Sequence, residues 1–133
     1  KFKNAYFNRF KNTWHHGDYA EIKMTGGFVI HGRSDTTLNP GGVRMGTAEI
    51  YSEVEKFKEI NESLVVGQAW NNDIRIVLFV VMNKKYSFTE KLSLKLKLKI
   101  RKNTSPRHVP SKIIVVNDIP RTKSGKIVEL AVR

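Results

Sequence analysis

The chain has 133 residues, which is enough for one ordinary domain or for one domain with a piece of another, and its 40% apolar content excludes a wholly disordered chain. It contains no cysteine, which excludes a disulfide scaffold, a Cys-ligated zinc site and a thiol nucleophile. Its formal net charge of +12 fits a polyanionic partner, either nucleic acid or a phosphorylated small molecule such as a nucleotide or coenzyme A, and it equally fits a solvated basic surface without such a partner.

The first part of the chain predicts a hairpin, a turn and a helix. Residues 19–23 and 27–31 alternate polar and apolar side chains on either side of a Thr-Gly step, as two paired strands do. Residues 39–42, Asn-Pro-Gly-Gly, are a strong turn signal. Thr47 is expected to cap a helix that ends near Glu59. An apolar stripe supports this helix: Ile50, Val54 and Phe57.

The rest of the chain predicts a small sheet with helices. Residues 63–70 and 74–82 are predicted to be antiparallel strands, since a short Asn/Asp link joins them. Residues 89–102 fit both a strand and a helix, and we favour a helix because Leu and Lys are good helix formers. A strand is expected over 112–117 and a terminal helix over 127–133. The order indicates an α+β fold: a hairpin plus a mostly antiparallel three-stranded sheet flanked by helices.

The segment 120–126, Pro-Arg-Thr-Lys-Ser-Gly-Lys, puts a lysine after a Ser-Gly bend. It is not a phosphate-binding P-loop, because Pro120 stands where that motif needs glycine and Ile127 where it needs Ser or Thr. Lys126 can anchor phosphate or carboxylate oxygens from such a loop. Taken alone, however, the segment favours the simpler interpretation, an ordinary turn lysine.

A second candidate is the glycine-rich stretch 32–44, which contains Arg33, Asp35 and Arg44. Glycines let the backbone approach a ligand closely, and arginine forks suit phosphate and ribose oxygens. The GxGxxG spacing of dinucleotide-binding folds is absent. A surface hairpin with charged flanks is the alternative.

The histidines do not predict a metal site. His15 and His16 are adjacent, and neighbouring strand residues point to opposite faces. His31 and His108 do not complete a recognisable ligand spacing with them.

The longest apolar run, residues 76–82, has the length of a buried strand and is far shorter than the roughly 18 residues of a membrane span. The first residues also lack the apolar stretch of a signal peptide. These features and the missing cysteines lead us to expect a cytoplasmic protein without a membrane partner.

Five short motifs, in this order, resemble the C-terminal part of the adenylate-forming enzymes, the acyl-CoA synthetase and luciferase superfamily. They are Gly17-Asp18, Gly32-Arg33-Ser34-Asp35, Gly42-Val43-Arg44, Glu49-Ile50 and Ser124-Gly125-Lys126. One such match is weak, but five at matching order and spacing over nearly the whole chain are specific. The surroundings of residues 14–18, 32–44 and 105–110 are most similar to members that activate acetoacetate, with acetate-activating members as the near alternative.

The resemblance implies a reaction in two steps. A carboxylate attacks the α-phosphate of ATP to give an acyl-adenylate and pyrophosphate, and the CoA thiol then displaces AMP after a domain rotation. Residues 1–33 are expected to be the tail of a large N-terminal adenylation domain, and residues 34–133 the small mobile C-terminal domain. Mg²⁺ is expected to arrive with ATP and to have no ligand in this chain. Without the large domain, the chain is expected to be inactive.

The resemblance also implies roles on the nucleotide side. Lys126 looks like the catalytic lysine that binds the carboxylate and α-phosphate oxygens during adenylation. Asp18 and Arg33 look like the contacts to the ribose hydroxyls, and Arg44 like a residue that faces the nucleotide phosphates. Asp35 looks like the hinge about which the small domain turns.

On the CoA side, Gly42 looks like a point of close backbone approach, and Arg101 matches an arginine that meets the CoA 3′-phosphate in related synthetases. Two alternatives stay open at this point. The chain could belong to a ligase for another acid, or it could be a basic module that binds nucleic acid. Charge alone does not separate these alternatives.

Overall fold

The computed structural model describes residues 2–132, which contain three α-helices and five β-strands. Two separate sheets are present, a two-stranded hairpin and a three-stranded sheet, so the predicted α+β fold is confirmed. The elements are α1 Phe2–Tyr6, β1 Asp18–Ile22, β2 Phe28–Arg33, α2 Ala48–Val54, β3 Ile60–Trp70, β4 Asp73–Met82, α3 Glu90–Asn103 and β5 Lys112–Val115, with short 3-10 turns at Pro40–Gly42, Pro106–His108 and Glu129–Ala131.

The hairpin of β1 and β2 is antiparallel, as predicted. Asp18 lies opposite Arg33 at its open end, and a bulge between Tyr19 and Ala20 shifts the register of the two strands. The polar residues singled out from the sequence therefore meet where the hairpin leads into the following loop.

The three-stranded sheet has the order β3-β4-β5 and is mixed, because β3 and β4 are antiparallel whereas β4 and β5 are parallel. Asn71 and Asn72 form the predicted link between β3 and β4, with φ angles of 49° and 60°. Asparagine tolerates this left-handed region better than most residues and favours two-residue hairpin turns.

The helix predicted over 89–102 is confirmed as α3. The Thr89 side chain caps it by accepting a hydrogen bond from the Leu92 backbone. The apolar residues Leu92, Leu96 and Ile100 are buried, whereas Leu94 and Leu98 are 60% and 56% exposed. The buried apolar residues therefore recur every four positions, as on one face of a helix. The alternation of apolar and polar residues, which would fit a strand, does not match the observed burial.

Both faces of the three-stranded sheet are covered. A large core lies between the sheet and helices α2 and α3: Leu38, Met45, Ile50, Val54, Phe57, Val65, Ile76, Leu78, Val80, Leu92, Leu96 and Ile100. A smaller core on the other face contains Leu64, Val66, Val77 and Ile119. Burial on both faces explains the nearly continuous apolar runs of β3 and β4.

Two details of the predicted helices were wrong. Helix α2 ends at Val54 rather than near Glu59, and the side chain of Thr47 does not cap it. Its hydroxyl bonds Glu129 instead, 82 positions away, so a tertiary partner has replaced the local one.

The terminal helix predicted over 127–133 was also wrong over its described part, and Arg133 lies outside the described residues. Ile127 pairs with Arg121 in a β-bridge, which leaves only a single 3-10 turn at Glu129–Ala131. Among residues 2–132, no helix is long and apolar enough to cross a membrane.

Candidate functional site

The loop that carries Lys126 is a tight hairpin after the smaller core. Arg121 and Ile127 form its base, and the Thr122 N–H donates to the Lys126 carbonyl at 2.8 Å. At its tip Gly125 has a φ of 83° and donates to the Thr122 carbonyl at 2.9 Å. A residue with a side chain is strained at such an angle, so the Ser-Gly bend is required for this hairpin.

Several contacts hold this loop while its lysine stays exposed. The Arg121 guanidinium pairs with Glu62 of β3 and donates to the Gly125 carbonyl at 2.9 Å. Ile119, just before the loop, is buried in the smaller core. Within residues 2–132 the Lys126 ammonium has no hydrogen-bond or ion-pair partner, so its charge is available to a ligand.

Arg33 and Asp35 form a two-point ion pair at the end of β2. The Arg33 Nε and Nη2 atoms donate to the two Asp35 carboxylate oxygens at 3.1 and 2.9 Å. The hydrogen bonds from Arg33 hold the pKa of Asp35 below its usual range, and Asp35 raises the pKa of Arg33 in return. These bonds use one N–H of Nε and one of Nη2, so the two N–H groups of Nη1 and the second one of Nη2 remain to meet a ligand oxygen.

Asp18 lies beside this pair. It is the register partner of Arg33 across the hairpin, and its carboxylate lies 2.6 Å from the His16 Nδ1 atom. Gly17 precedes it with a φ of 91°, and a Cβ at Gly17 would lie 3.5 Å from the Arg33 guanidinium. The turn before β1 thus packs against the arginine without blocking it.

A surface cleft joins three of the predicted residues. Arg33, Asp35 and Lys126 all line it. Arg44 does not line this cleft; its guanidinium carbon lies 6.0 Å from the centre of the Tyr19 ring on β1. The cleft therefore contains Arg33, expected to contact the ribose, Asp35, expected to be the hinge, and Lys126, expected to contact the reacting phosphate.

The floor of the cleft contains residues that the sequence reasoning missed. Glu129 accepts hydrogen bonds from the hydroxyls of Tyr51 at 2.7 Å and Thr47 at 3.3 Å, and Tyr51 accepts one from the Val65 backbone at 3.0 Å. Burial, and then the hydrogen bond to Glu129, raise the pKa of Tyr51 far above its usual range. This chain of bonds fixes the 3-10 turn that follows Lys126 to α2 and β3.

The predicted CoA-binding residues lie elsewhere. Gly42 has a φ of 76° and open space where a Cβ would be, and it lines a groove beside the turn between β3 and β4. Asp73 in that turn accepts from the Gly41 N–H at 2.8 Å, and Arg107 donates to the Gly41 carbonyl at 2.9 Å. Arg101 is exposed in the last turn of α3 and is not among the residues that line this groove.

Over the described range 2–132, no three His, Cys, Asp or Glu side chains come together in a way that could hold a metal ion. The His15 ring lies 5.7 Å from the Phe10 ring, centre to centre, and the other three histidines face carboxylates. His16 pairs with Asp18, and both His31 and His108 face Glu49.

A family model described as the AMP-binding enzyme C-terminal domain matches residues 49–126. The acetoacetyl-coenzyme A synthetase of Rhizobium meliloti is 62% identical over 133 residues, which is 100% of this chain and 20% of that protein. The acetoacetyl-CoA synthetase of Xenopus tropicalis is 49% identical over 135 residues, again covering 100% of this chain and 20% of the relative. The chain thus spans about a fifth of the length of these relatives.

Among solved structures, the acetoacetyl-CoA synthetase from Streptomyces lividans matches with a TM-score of 0.87 and 42% identity, covering 98% of this chain and 19% of that one. The match extends over the hairpin as well as the three-stranded sheet, so both parts of the chain share this architecture.

Proposed function

The chain belongs to the family of AMP-binding enzyme C-terminal domains, and from that premise we propose that it is the C-terminal part of an ATP-dependent acetoacetate–CoA ligase. The observation that carries the proposal is the cleft that Lys126, Arg33 and Asp35 line together. The 62% identity to an acetoacetyl-CoA synthetase over the full chain supports acetoacetate as the acid.

In the proposed first step, a carboxylate oxygen attacks the α-phosphorus of ATP and the bond to pyrophosphate breaks. Negative charge builds on the α-phosphate oxygens in this transition state. The ammonium of Lys126 stabilises that charge and lowers the barrier. No ion pair to Lys126 exists within residues 2–132, and this supports the role, because a paired ammonium would have to be released first.

The residues around the hairpin are proposed to hold the nucleotide. The carboxylate of Asp18 accepts from a ribose hydroxyl, and the free Nη1 of Arg33 donates to a ribose oxygen. Arg44 faces the phosphates from the loop that follows. Asp35, between the hairpin and the sheet domain, is the proposed hinge, where few residues absorb the change in backbone angles.

In the proposed second step, the small domain turns and the CoA sulfur attacks the acyl carbon, so that AMP leaves. Gly42 allows the backbone to approach CoA, and Arg101 meets its 3′-phosphate. The loop that binds the ATP phosphates and the pocket for the acid belong to the large N-terminal domain, which also receives Mg²⁺ with ATP. Acetate or another short acid is the alternative substrate, and we propose no nucleic-acid partner.

The test uses the full-length enzyme with Lys126→Ala. Pyrophosphate release with ATP and acetoacetate is expected to slow by about 100- to 1000-fold, because a charge aimed at the transition state is lost. Thioester formation from pre-made acetoacetyl-adenylate is expected to stay at the parent rate. Lys123→Ala, in the same exposed loop, is the matched control and should leave both half-reactions unchanged.

Equal losses in both half-reactions of Lys126→Ala would contradict the role given to this lysine. Comparing acetoacetate, acetate and longer acids in the parent enzyme tests the substrate separately. Faster pyrophosphate release with another acid would replace acetoacetate in the proposal and leave the role of Lys126 intact.

A further inference from the structure

A carboxylate and two imidazoles connect parts of the chain that lie on opposite sides of the proposed hinge. Glu49 belongs to α2, and its Oε1 atom lies 3.4 Å from Nδ1 of His31 on β2. Its Oε2 atom lies 2.6 Å from Nε2 of His108, in the turn after α3. His31 precedes Asp35 in the chain, whereas Glu49 and His108 follow it.

The other ring nitrogens of this cluster also have partners. The Nε2 atom of His31 lies 3.2 Å from Glu21 on β1, which in turn pairs with Lys23 at 2.7 Å. The Nδ1 atom of His108 lies 2.8 Å from the Ser105 hydroxyl. Both imidazoles are therefore held in place by their own elements, and Glu49 is the group that joins them.

Burial makes the Glu49 contacts more important than an exposed ion pair. The side chains of His31 and His108 are 17% and 10% exposed, against 39% for Glu49. The Nε2 atom of His108 is buried and has no partner with hydrogen-bond geometry among the described residues, and the Glu49 carboxylate lies 2.6 Å from it. Without that carboxylate, a buried polar atom would be left uncompensated.

The backbone beneath this cluster is shaped for close contact. A Cβ on Gly46 would collide with the carbonyl oxygen of His31. A Cβ on Gly32 would lie 3.3 Å from the Thr47 hydroxyl. Two glycines therefore allow the end of the hairpin to lie directly against the start of α2, which puts Glu49 within reach of His31.

We propose that Glu49, together with His31 and His108, forms a latch that holds the hairpin against α2 in the orientation that brings Lys126 to the cleft beside Arg33. The proposal rests on the proposed function. When the small domain turns about Asp35, the Glu49–His31 contact has to break, because its two residues lie on opposite sides of the hinge. Contacts present in only one of two orientations shift the equilibrium toward that one.

Glu49 is thus a positioning residue for acyl-adenylate formation and does not itself contact the substrate. Loss of the latch lowers the population of the orientation in which Lys126 can act. The thioester step uses the other orientation, and it gains or stays unchanged. This opposite response is what a merely structural residue does not produce.

The test is Glu49→Gln in the full-length enzyme, which removes the charge and keeps the size. The rate of pyrophosphate release is expected to fall by about three- to tenfold, whereas thioester formation from pre-made adenylate stays equal or rises. Amide hydrogen exchange in the segment 28–50 is expected to become faster. Glu55→Gln, an exposed glutamate just after α2, is the matched control and should change none of these.

A second variant covers the case in which Glu49→Gln folds poorly. His31→Gln removes the arm of the latch on the hairpin and leaves the contact between Glu49 and His108, so it is expected to act in the same direction with a smaller effect. Equal loss in both half-reactions, or unchanged rates and exchange, in the variant that folds would overturn the latch.

Failure of the latch and failure of the proposed function give different results. If Lys126→Ala slows only pyrophosphate release and the Glu49 and His31 variants behave like the parent enzyme, the latch alone is wrong. If Lys126→Ala leaves both half-reactions unchanged, the proposed function and the latch fail together.

Discussion

At the scale of single residues, the side chains of Arg33 and Asp35 hold each other in a fixed geometry at the edge of the cleft. Their two hydrogen bonds orient the guanidinium so that its remaining nitrogen is free. Both side chains are about half exposed, at 56% and 43%, so water screens most of their attraction. The pair is therefore expected to matter more for the direction of Arg33 than for the stability of the fold.

This balance can be tested with Asp35→Asn. Because the pKa of Asp35 is lowered in the folded chain, its contribution to stability is present above the pKa of the unfolded carboxyl group and disappears as the pH falls through the folded value. We expect the substitution to lower the free energy of unfolding by less than about 1 kcal/mol at neutral pH. Once the pH lies below the lowered pKa of Asp35 in the folded chain, the difference from the parent chain should vanish.

The measurement is urea unfolding of both chains at neutral and acidic pH. A loss that persists unchanged under acidic conditions would show that the asparagine disturbs the loop itself, and that the ion pair is not the cause.

At the scale of elements, three buried side chains on one face of α3 pack the helix into the larger core. Leu96 is fully buried, whereas Leu98, two residues along, is mostly exposed. We expect Leu96→Ala to lower the free energy of unfolding by about 2–5 kcal/mol, because it leaves a cavity in the larger core. Leu98→Ala removes the same atoms from an exposed position and should change it by less than about 0.5 kcal/mol.

Denaturant unfolding followed by circular dichroism compares the two variants directly. Similar losses in both would mean that Leu98 is also covered, which the helix does not allow and the alternating pattern of a strand would require.

The same contrast shows which elements could be predicted from sequence. Helix α3 and the hairpins follow from local signals, namely helix formers with a threonine cap, and paired strands around a short turn. The end of α2 could not be predicted, because Thr47 uses its hydroxyl on Glu129 rather than as a cap. The terminal helix failed for a similar reason, since the pairing of Ile127 with Arg121 takes the backbone out of a helical path.

The candidate site likewise contains residues that could be predicted from the sequence and residues that could not. Arg33, Asp35 and Lys126 stand in short motifs and could be named from the sequence, but their meeting in one cleft could not. Tyr51 and Glu129 lie 78 positions apart and carry no motif. A pattern along the chain does not record such distant partners, so the floor of the cleft required the structure.

At the scale of the whole molecule, the hairpin and the sheet domain differ in how well they are covered. Each face of the sheet packs against a buried core, whereas the hairpin contributes to neither core and presents large exposed apolar side chains: Ile22, Met24, Phe28 and Ile30. Apolar patches of this kind mark surfaces that contact another protein part. Since the chain spans about a fifth of its relatives, we expect the large domain to cover this surface in the full-length enzyme.

The same reasoning gives a prediction for the chain taken alone. Under the proposed function its cleft presents Lys126 and Arg33 to a nucleotide, with Asp18 next to Arg33 on the hairpin, and the loop for the ATP phosphates and the acid pocket are proposed to lie in the large domain. Positioning of two substrates accounts for a large part of catalysis by such enzymes, because it replaces a bimolecular encounter. We therefore expect the 133-residue chain to release no pyrophosphate from ATP and acetoacetate above the background of a Lys126→Ala chain.

The assay is meaningful only if the chain is folded, so helix content and a cooperative unfolding transition are measured on the same sample. Full-length enzyme in the same buffer is the positive control. The contradicting result is acetoacetate-dependent pyrophosphate release by the folded chain that is lost in Lys126→Ala. It would mean that these residues bind both substrates by themselves. The proposal that the large domain binds the ATP phosphates and the acid would then be wrong.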